Sequence, residues 1–521
     1  MKYLVVQAYW YFDQITGEYR YRIGDPGDAL GSHPDFNVVN IHVFHPLFPQ
    51  LAMTSDLLVL HLMPDEEMFQ IIQLRKKMGK PTVFEIADNF LSLGPWVPNN
   101  DAYRNPLIRQ NFLYFASICD GLQFSTHEVA LKFGFLNPVH TVLENQIGSF
   151  SKSLPPDRPF VFGWGGSKGH EADLAEIAPV ILDFCKRHKD AVFSYMGYTP
   201  IFTKYFSSIP AAQCRCIEAG PIEAYFQFLD SLHVGLAPLQ NTDFNRCRSD
   251  VKFIEYAAHS VVPVLADSPP YRVHGRDGEN ALMFKDHASL DAALESLYQD
   301  PQHMRDLAAR AYRFTSVKRD ISDHIGRRVA FYRSLLKHEA FLAESPALPD
   351  CKGLIAYLRQ ATDAYCSENF PESLRLLNKV LQLHPGYHQA HIWKAKTQVK
   401  LGQFQELLDT YGLYKCDPIY FDLLLECLTI AAQELGHGQW REIQNHIANP
   451  VLKMKLEPVD PASLEQHYEQ ILAVNPYDYQ TLQNLAVLLL KKGDPKGQNL
   501  LERALFIAPE NSQLQDLATG S

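Results

Sequence analysis

The stretch FNRCRSDVKFIEYAAHSVVPVLADSPPYRVHGRDG (Phe244–Gly278) decides the fold. It reads as a loop, a short helix carrying Lys252 and Glu255, a strand VVPVLAD, and a Pro-rich turn. A strand apolar on both faces belongs inside a parallel sheet. A charged helix start just before such a strand marks where open α/β sheets take ligands, in the crevice beyond the carboxyl ends of the strands. Glu255 can accept hydrogen bonds from a ribose diol there, while Lys252 and Arg248 supply positive charge. Alone, the pattern also suits a plain surface helix with an ordinary carboxylate, so its neighbours carry the decision.

From residue 2 to about 145, short apolar runs alternate with helical stretches. YLVVQAY, VVNIHVF, LLVLHL, PTVFEIA, GLQFST and HTVLEN are candidate strands, several apolar on both faces. DEEMFQIIQLRKKMG (65–79) opens with acids, closes with bases and stops at a glycine, as helices do. Strand and helix in alternation predict a doubly wound α/β domain over 1–150. SKSLPPDRP (151–159) interrupts it as a linker. A second series, FVFGWGG, AVFSYMG, RCIEAG, HVGLAPL and VVPVLAD, predicts a second Rossmann-like domain. A helical return to about 343 completes that domain (151–343), and ESPALPD (344–350) marks the next break.

Beyond residue 350 the strands stop. ATDAYCSENFPESLRLLNKVLQLHP (361–385) and YDYQTLQNLAVLLLKKGDPKGQNLLERALFIAP (477–509) have helical periodicity and end in proline. Pro476 to Pro509 and Pro385 to Pro418 are both steps of 33 residues (509 − 476 and 418 − 385), the spacing of a helix–turn–helix repeat. The segment 350–521 resembles tetratricopeptide repeats, with Ala486, Gly493, Ala504 and Pro509 at the small, turn and terminating positions. The pattern fades over 419–460. Stacked repeats present a concave surface to a protein partner; a helical bundle that only props up the rest is the plain alternative.

Length and composition agree. A chain of 521 residues needs about three domains. Its 46% hydrophobic and 21% charged residues are those of an ordinary globular protein, and a net charge of −11 lacks the signature of a nucleic-acid binder. Nine scattered cysteines suit free thiols in a reducing, cytoplasmic compartment, and no apolar run is long enough for a membrane helix. Peripheral attachment to a membrane stays open. No HExxH or paired metal spacing occurs among the 21 histidines, so no metal site is expected.

FVFGWGGSKGHEADLAEI (160–177) places a glycine-rich turn between strand and helix. Gly165 and Gly166 would let the backbone approach a diphosphate, Ser167 follows, and Lys168 adds a cation. GEYRYRIGDPGDAL (17–30), after the first strand, is rich in glycine and arginine.

Together these pieces resemble retaining nucleotide-sugar glycosyltransferases of the two-Rossmann (GT-B) type, in the large family 4 group. The resemblance covers about residues 1–335. It rests on the order of PTVFEIADNFLSL (81–93), GLQFSTHEVA (121–130), VLENQI (142–147), GWGGSKGHEADL (163–174), HVGLAPL (233–239) and SDVKFIEYAAHSVVPVLAD (249–267). It implies a donor pocket for a UDP- or GDP-sugar, with Glu255 on the ribose and Lys168 on the diphosphate. Arg248, Ser249 and Lys252 lie in the donor loop, Asn245 beside them, and Asp88 lies in the acid-rich segment of the first domain. The resemblance also implies that Gly17, Tyr19, Arg20 and Arg22 face the cleft, with a solvated surface loop as the plain alternative. Lys168, Arg248 and Lys252 would stabilise the departing diphosphate without a metal, and a glycan or protein acceptor is implied. Cys247 stands where the family has a sugar-facing glutamate, and the usual arginine of the phosphate strand is replaced near Trp164 and Gly165. These departures keep a second reading in view, a catalytically degraded scaffold acting through its repeats.

Overall fold

The computed structural model describes residues 1–10, 17–93, 103–152, 159–337, 339, 346–412, 421–438 and 440–519. Most of the expected linker at 151–159, part of the break at 344–350, and Pro418 lie outside the described residues.

Six strands form the first sheet: β1 (Tyr3–Tyr9), β2 (Phe36–His42), β3 (Leu57–His61), β4 (Thr82–Ile86), β5 (Gly121–Phe124) and β6 (His140–Val142). All neighbours pair in parallel, in the order β2-β1-β3-β4-β5-β6. Strands β3 (LLVLH) and β4 (TVFEI) are buried at every position, as central parallel strands covered on both faces are. The second sheet contains β7 (Phe160–Gly165), β8 (Ala191–Gly197), β9 (Cys214–Glu218), β10 (Val234–Ala237), β11 (Val262–Ala266) and β12 (Leu282–Phe284). Its order, β9-β8-β7-β10-β11-β12, is the 3-2-1-4-5-6 order of dinucleotide-binding sheets. The strand order reverses between β1 and β3 in one sheet and between β7 and β10 in the other. Those two switch points position the site.

The chain crosses between the sheets twice, and the crossings are tied together. Ile147 N donates to Arg319 O at 2.8 Å and Ile321 N to Ile147 O at 2.9 Å. The fully buried Arg319 makes a two-pronged pair with Asp250, Nη1 to Oδ2 at 2.6 Å and Nη2 to Oδ1 at 2.9 Å. Arg319 also donates to the Asn145 carbonyl, and His274 Nδ1 lies 2.9 Å from Asp250 Oδ2. Burial pushes the Asp250 carboxyl up, but Arg319 and His274 overcome it and hold it near about 2. After this clamp the helix Ile321–Leu335 returns to the first sheet, packing Val329 and Tyr332 with Val5, Leu57, Val59 and Val83.

The C-terminal region is all helical among the described residues. Hairpins such as Lys352–Cys366 with Phe370–Leu383, and Tyr479–Lys491 with Lys496–Ile507, turn through residues of positive φ. Glu368, Gly402 and Gly436 occupy that left-handed position at equal steps of 34 residues (402 − 368 and 436 − 402). The stretch where the sequence pattern fades therefore keeps the period as far as Gly436, and the interval to Gly493 is longer.

These helices do not hang free of the α/β part. Their apolar core is continuous with that of the first sheet. Gln389 Nε2 donates to Val43 O at 2.9 Å, Tyr479 N to Gln110 Oε1 at 2.8 Å, and Arg109 pairs with Glu510 at 2.8 Å. One face of the region is thus filled by this chain, and a partner has only the remaining surface.

Asp250→Ala would leave Arg319 buried and unpaired, a loss of about 3–5 kcal/mol. Urea unfolding of the variant against wild type measures it.

Candidate functional site

A cavity of about 640 Å³ opens between the two sheets at their carboxyl ends. Gly17, Glu18, Tyr21, Arg22, Ala87, Asp88, Ser125 and Asn145 line it from the first half. The second half contributes Gly166, Ser167, His170, Met196, Gly220, Ile222, Tyr225 and the segment with Arg248, Ser249, Lys252 and Glu255. Two Rossmann-like domains facing a shared cleft in this way define the GT-B arrangement.

Glu255 lies on the helix Val251–Ala258, whose first turn follows the clamped Asp250. It is 4% exposed, and a buried carboxylate needs donors. It has three: Tyr21 OH on Oε1 at 2.9 Å, and Tyr225 OH and Lys252 Nζ on Oε2 at 2.8 and 3.0 Å. Burial and the Glu255 charge push both phenols up, so each stays protonated and donates. Tyr21 comes from the first domain, so this bond bridges the cleft. A carboxylate has about four lone-pair sites, which leaves roughly one for a ligand unless a phenol yields.

Arg248 donates to His170 Nε2 at 2.6 Å and lies 5.0 Å from the Phe244 ring centroid. His170 Nδ1 is 2.8 Å from Asp173 Oδ2. Burial and the Arg248 charge lower the His170 pKa to about 4, so the ring is neutral, giving a proton to Asp173 and accepting from Arg248. Asn245 is spent nearby on Gln240 O at 3.0 Å and Asp173 Oδ1 at 3.3 Å.

Beneath the cavity, Arg22 is almost fully buried. It pairs with Glu85 and donates from Nη1 to Leu143 O at 2.6 Å and Asn145 Oδ1 at 2.9 Å, while Nη2 has no partner among the described residues. Glu85 also faces His61 at 3.2 Å and accepts from Gln123. Burial pushes the Asp88 carboxyl up and Glu18 adds to it, against the pull of Arg248, so Asp88 titrates at about 6.

The structure brings together Gly17, Arg22, Asp88, Gly166, Ser167, Arg248, Ser249, Lys252 and Glu255. Other expected residues go elsewhere. Lys168 is exposed on the turn Lys168–His170, outside the lining. Gly165 is closed off by packing: a Cβ there would come within 2.8 Å of Tyr225. The Gly166 N–H is spent on Met196 O at 3.0 Å, and the glycine is needed because a Cβ would meet the Trp164 ring at 2.7 Å. Tyr19 packs edge-on against Tyr9, with ring centroids 4.9 Å apart. Arg20 pairs with Asp25 at 3.2 Å and covers Phe226 across the cleft at 4.7 Å. Cys247 is buried in the core of the first half, its carbonyl accepting from Thr126 at 3.0 Å. Sequence reading passed over Tyr21, Tyr225 and Glu85. Tyr21 lies within the glycine- and arginine-rich loop 17–30, yet nothing local shows that its hydroxyl will reach a carboxylate 234 positions away.

No family model matches the chain. No curated protein matches it. Among solved structures it is similar to HepE from Anabaena in complex with UDP, at 11% identity over 64% of this chain and 100% of that one, TM-score 0.47. It is similar also to sucrose-phosphate synthase from Thermosynechococcus elongatus, at 10% identity over 64% and 99%, TM-score 0.47. The pneumococcal O-GlcNAc transferase GtfA in complex with UDP and GlcNAc overlaps at 12% identity over 54% and 57%, TM-score 0.39. Overlaps this distant assign no chemistry. The site's own geometry carries the function. Among the described residues no helix is long and apolar enough to cross a membrane, and no cluster of three or more His, Cys, Asp or Glu is arranged to hold a metal.

The buried His61 gives a pH signature. Burial alone would lower its pKa, but Glu85 and Glu18 raise it from 6.5 to about 9. The charged ring therefore stabilises the fold fully below about pH 6.5, and this is lost as pH rises through about 9. Unfolding free energy should fall by about 3 kcal/mol over that window through this group. Urea denaturation at several pH values should show a shallower fall in His61→Gln.

Proposed function

We propose that this chain transfers a sugar from a nucleoside diphosphate-sugar to a hydroxyl acceptor, with retention at the anomeric carbon. One observation carries the reading: a buried carboxylate ringed by hydroxyls shares a switch-point cavity with Arg248, which no carboxylate pairs among the described residues. Glu255 accepts from the ribose diol, which displaces one tyrosine hydroxyl. The base lies towards Met196, Gly220 and Ile222. That end fits UDP or GDP.

Arg248, Lys252 and the unpartnered Nη2 of Arg22 take the diphosphate charge as the glycosidic bond breaks. No metal is expected, because these cations do that work. Lys168, exposed at the rim, is a secondary contact. The acceptor enters beside Gly17 and Glu18, and Asp88 takes the proton from its hydroxyl. A carboxylate titrating at about 6 is poised for that near neutral pH. Closure of the two domains excludes water and so limits donor hydrolysis. The 34-residue period supports tetratricopeptide-type repeats, which carry the acceptor or a partner protein on the face not packed against the first domain.

The competing reading is a transferase-fold scaffold. It draws on Cys247, buried away from the cavity where an acid would face the sugar. A thermal-shift panel with UDP, GDP and their sugars separates the two. One nucleotide at about 100 times its Kd should add about 2.7 kcal/mol, a rise of a few degrees; no rise with any nucleotide supports the scaffold. Glu255→Ala and Lys252→Ala should each weaken nucleotide binding about tenfold or more, with Lys168→Ala milder. Asp88→Asn should lower kcat about 10²-fold. Wild-type rate should climb as pH rises through about 6, because the base acts deprotonated, and this limb should vanish in the variant.

A further inference from the structure

A second cavity, of about 390 Å³, lies at the hinge, and Tyr21 lines both it and the donor cavity. Its walls come from the first crossing (Val142–Gln146), from Phe314 and Lys318, and from the start of the return helix. Its charge is lopsided. Lys318, His324, Arg327 and Arg328 line it together with His274, against one lining carboxylate, Glu144.

Arg328 is the informative member. It is 5% exposed, its Nη1 donates to Tyr332 OH at 2.9 Å, and no carboxylate bonds it among the described residues. By hydrogen bonds Glu85 is reached only through Tyr332 and Gln123; its charge acts on Arg328 through space, but it already holds Arg22 and faces His61. Two guanidiniums and a largely charged imidazole thus share one buried carboxylate. Other nearby acids are engaged or turned elsewhere. Asp250 is bound by Arg319 and His274, Asp25 pairs with Arg20, and Asp320 accepts from Ser322 N at 2.9 Å. Asp323, one turn before Arg327, makes no ion pair with it.

A buried cation without a partner is costly, and an anion supplied from outside relieves it. Arginine forks match phosphate oxygens in particular. Phe314, Ile321 and Ile325 give the cavity an apolar side, and its volume lies in the small-molecule range. We propose that the hinge cavity binds a phosphate monoester with an organic body of pentose or hexose size. The inference does not depend on the donor chemistry. Such a ligand would touch Tyr21, whose hydroxyl rests on Glu255, so the two cavities communicate through one side chain.

Calorimetric titration of the full chain with ribose 5-phosphate and with inorganic phosphate tests this. Wild type should bind ribose 5-phosphate more tightly than inorganic phosphate. A Lys318→Glu/Arg327→Glu double variant, at two exposed positions, should bind it at least tenfold more weakly, whereas Arg248→Ala/Lys252→Ala should bind it as wild type does. If charge reversal perturbs the thermal melt, Lys318→Met/Arg327→Met keeps the test. No binding to wild type, unchanged binding in the hinge variants, or loss only in the Arg248/Lys252 variant would overturn the site. Equal affinity for the two probes would overturn the organic body.

Discussion

The pair between Asp250 and Arg319 holds the rest of the α/β structure in register. Both side chains are buried, and the fork of the guanidinium satisfies both carboxylate oxygens while also reaching the Asn145 carbonyl. Because Asp250 directly precedes the helix Val251–Ala258, the group that locks the hinge also aims Lys252 and Glu255. Asn145 extends the lock. Its amide donates to Ser249 Oγ at 2.9 Å and accepts from Arg22. Desolvating such a pair costs much of what the pair returns, so its contribution is chiefly geometric: it fixes where two separately folded sheets meet.

Away from the hinge, the described residues of the two halves meet through polar contacts as well as through Cys247 in the core of the first half and Tyr21 in that of the second. Asp243 receives Asn89 and Ser92 at 3.0 and 2.8 Å and pairs with Lys132; Thr126 binds the Cys247 carbonyl; Tyr21 meets Glu255; Arg20 covers Phe226. Small polar contacts between domains are inexpensive to open compared with a hydrophobic core. A clamped hinge with a polar mouth suits a cavity that can open and close.

The helical region extends the core of the first half. Tyr387 donates to Phe44 O, Gln389 to Val43 O and Tyr479 N to Gln110, so these helices brace the first half. Lys396 binds Glu66 at 2.8 Å beside Glu67, whose carboxyl burial and Asp65 push up to about 7. That junction is acid-rich, with Lys396 set against Asp65, Glu66, Glu67 and Glu426.

Periodicity was legible because it is local. Strands such as LLVLH and VPVLA announce their burial in their own composition, and the chain order of strands and helices implies two parallel sheets before any coordinate is known. Gly166 and Ser167, on a glycine-rich strand–helix turn, and Lys252 and Glu255, on the helix before a buried strand, follow the same local pattern, whereas Gly17 is placed in the cleft by the family resemblance. What the sequence could not determine is where long side chains end. Lys168 sits beside a glycine turn yet points its charge to solvent, while Arg22, Tyr21 and Tyr225 find Glu85 and Glu255 through contacts between distant parts of the chain. Cys247 shows the same limit, since docking of its loop on the first half turns it into core. The sequence alone therefore determined the two sheets, the helical repeat and the helix that carries Glu255. Only the tertiary structure decided which charges share the cavity, because a buried charge is costly unless it is paired, and the partners that Arg22 and Tyr21 find lie 63 and 234 positions along the chain.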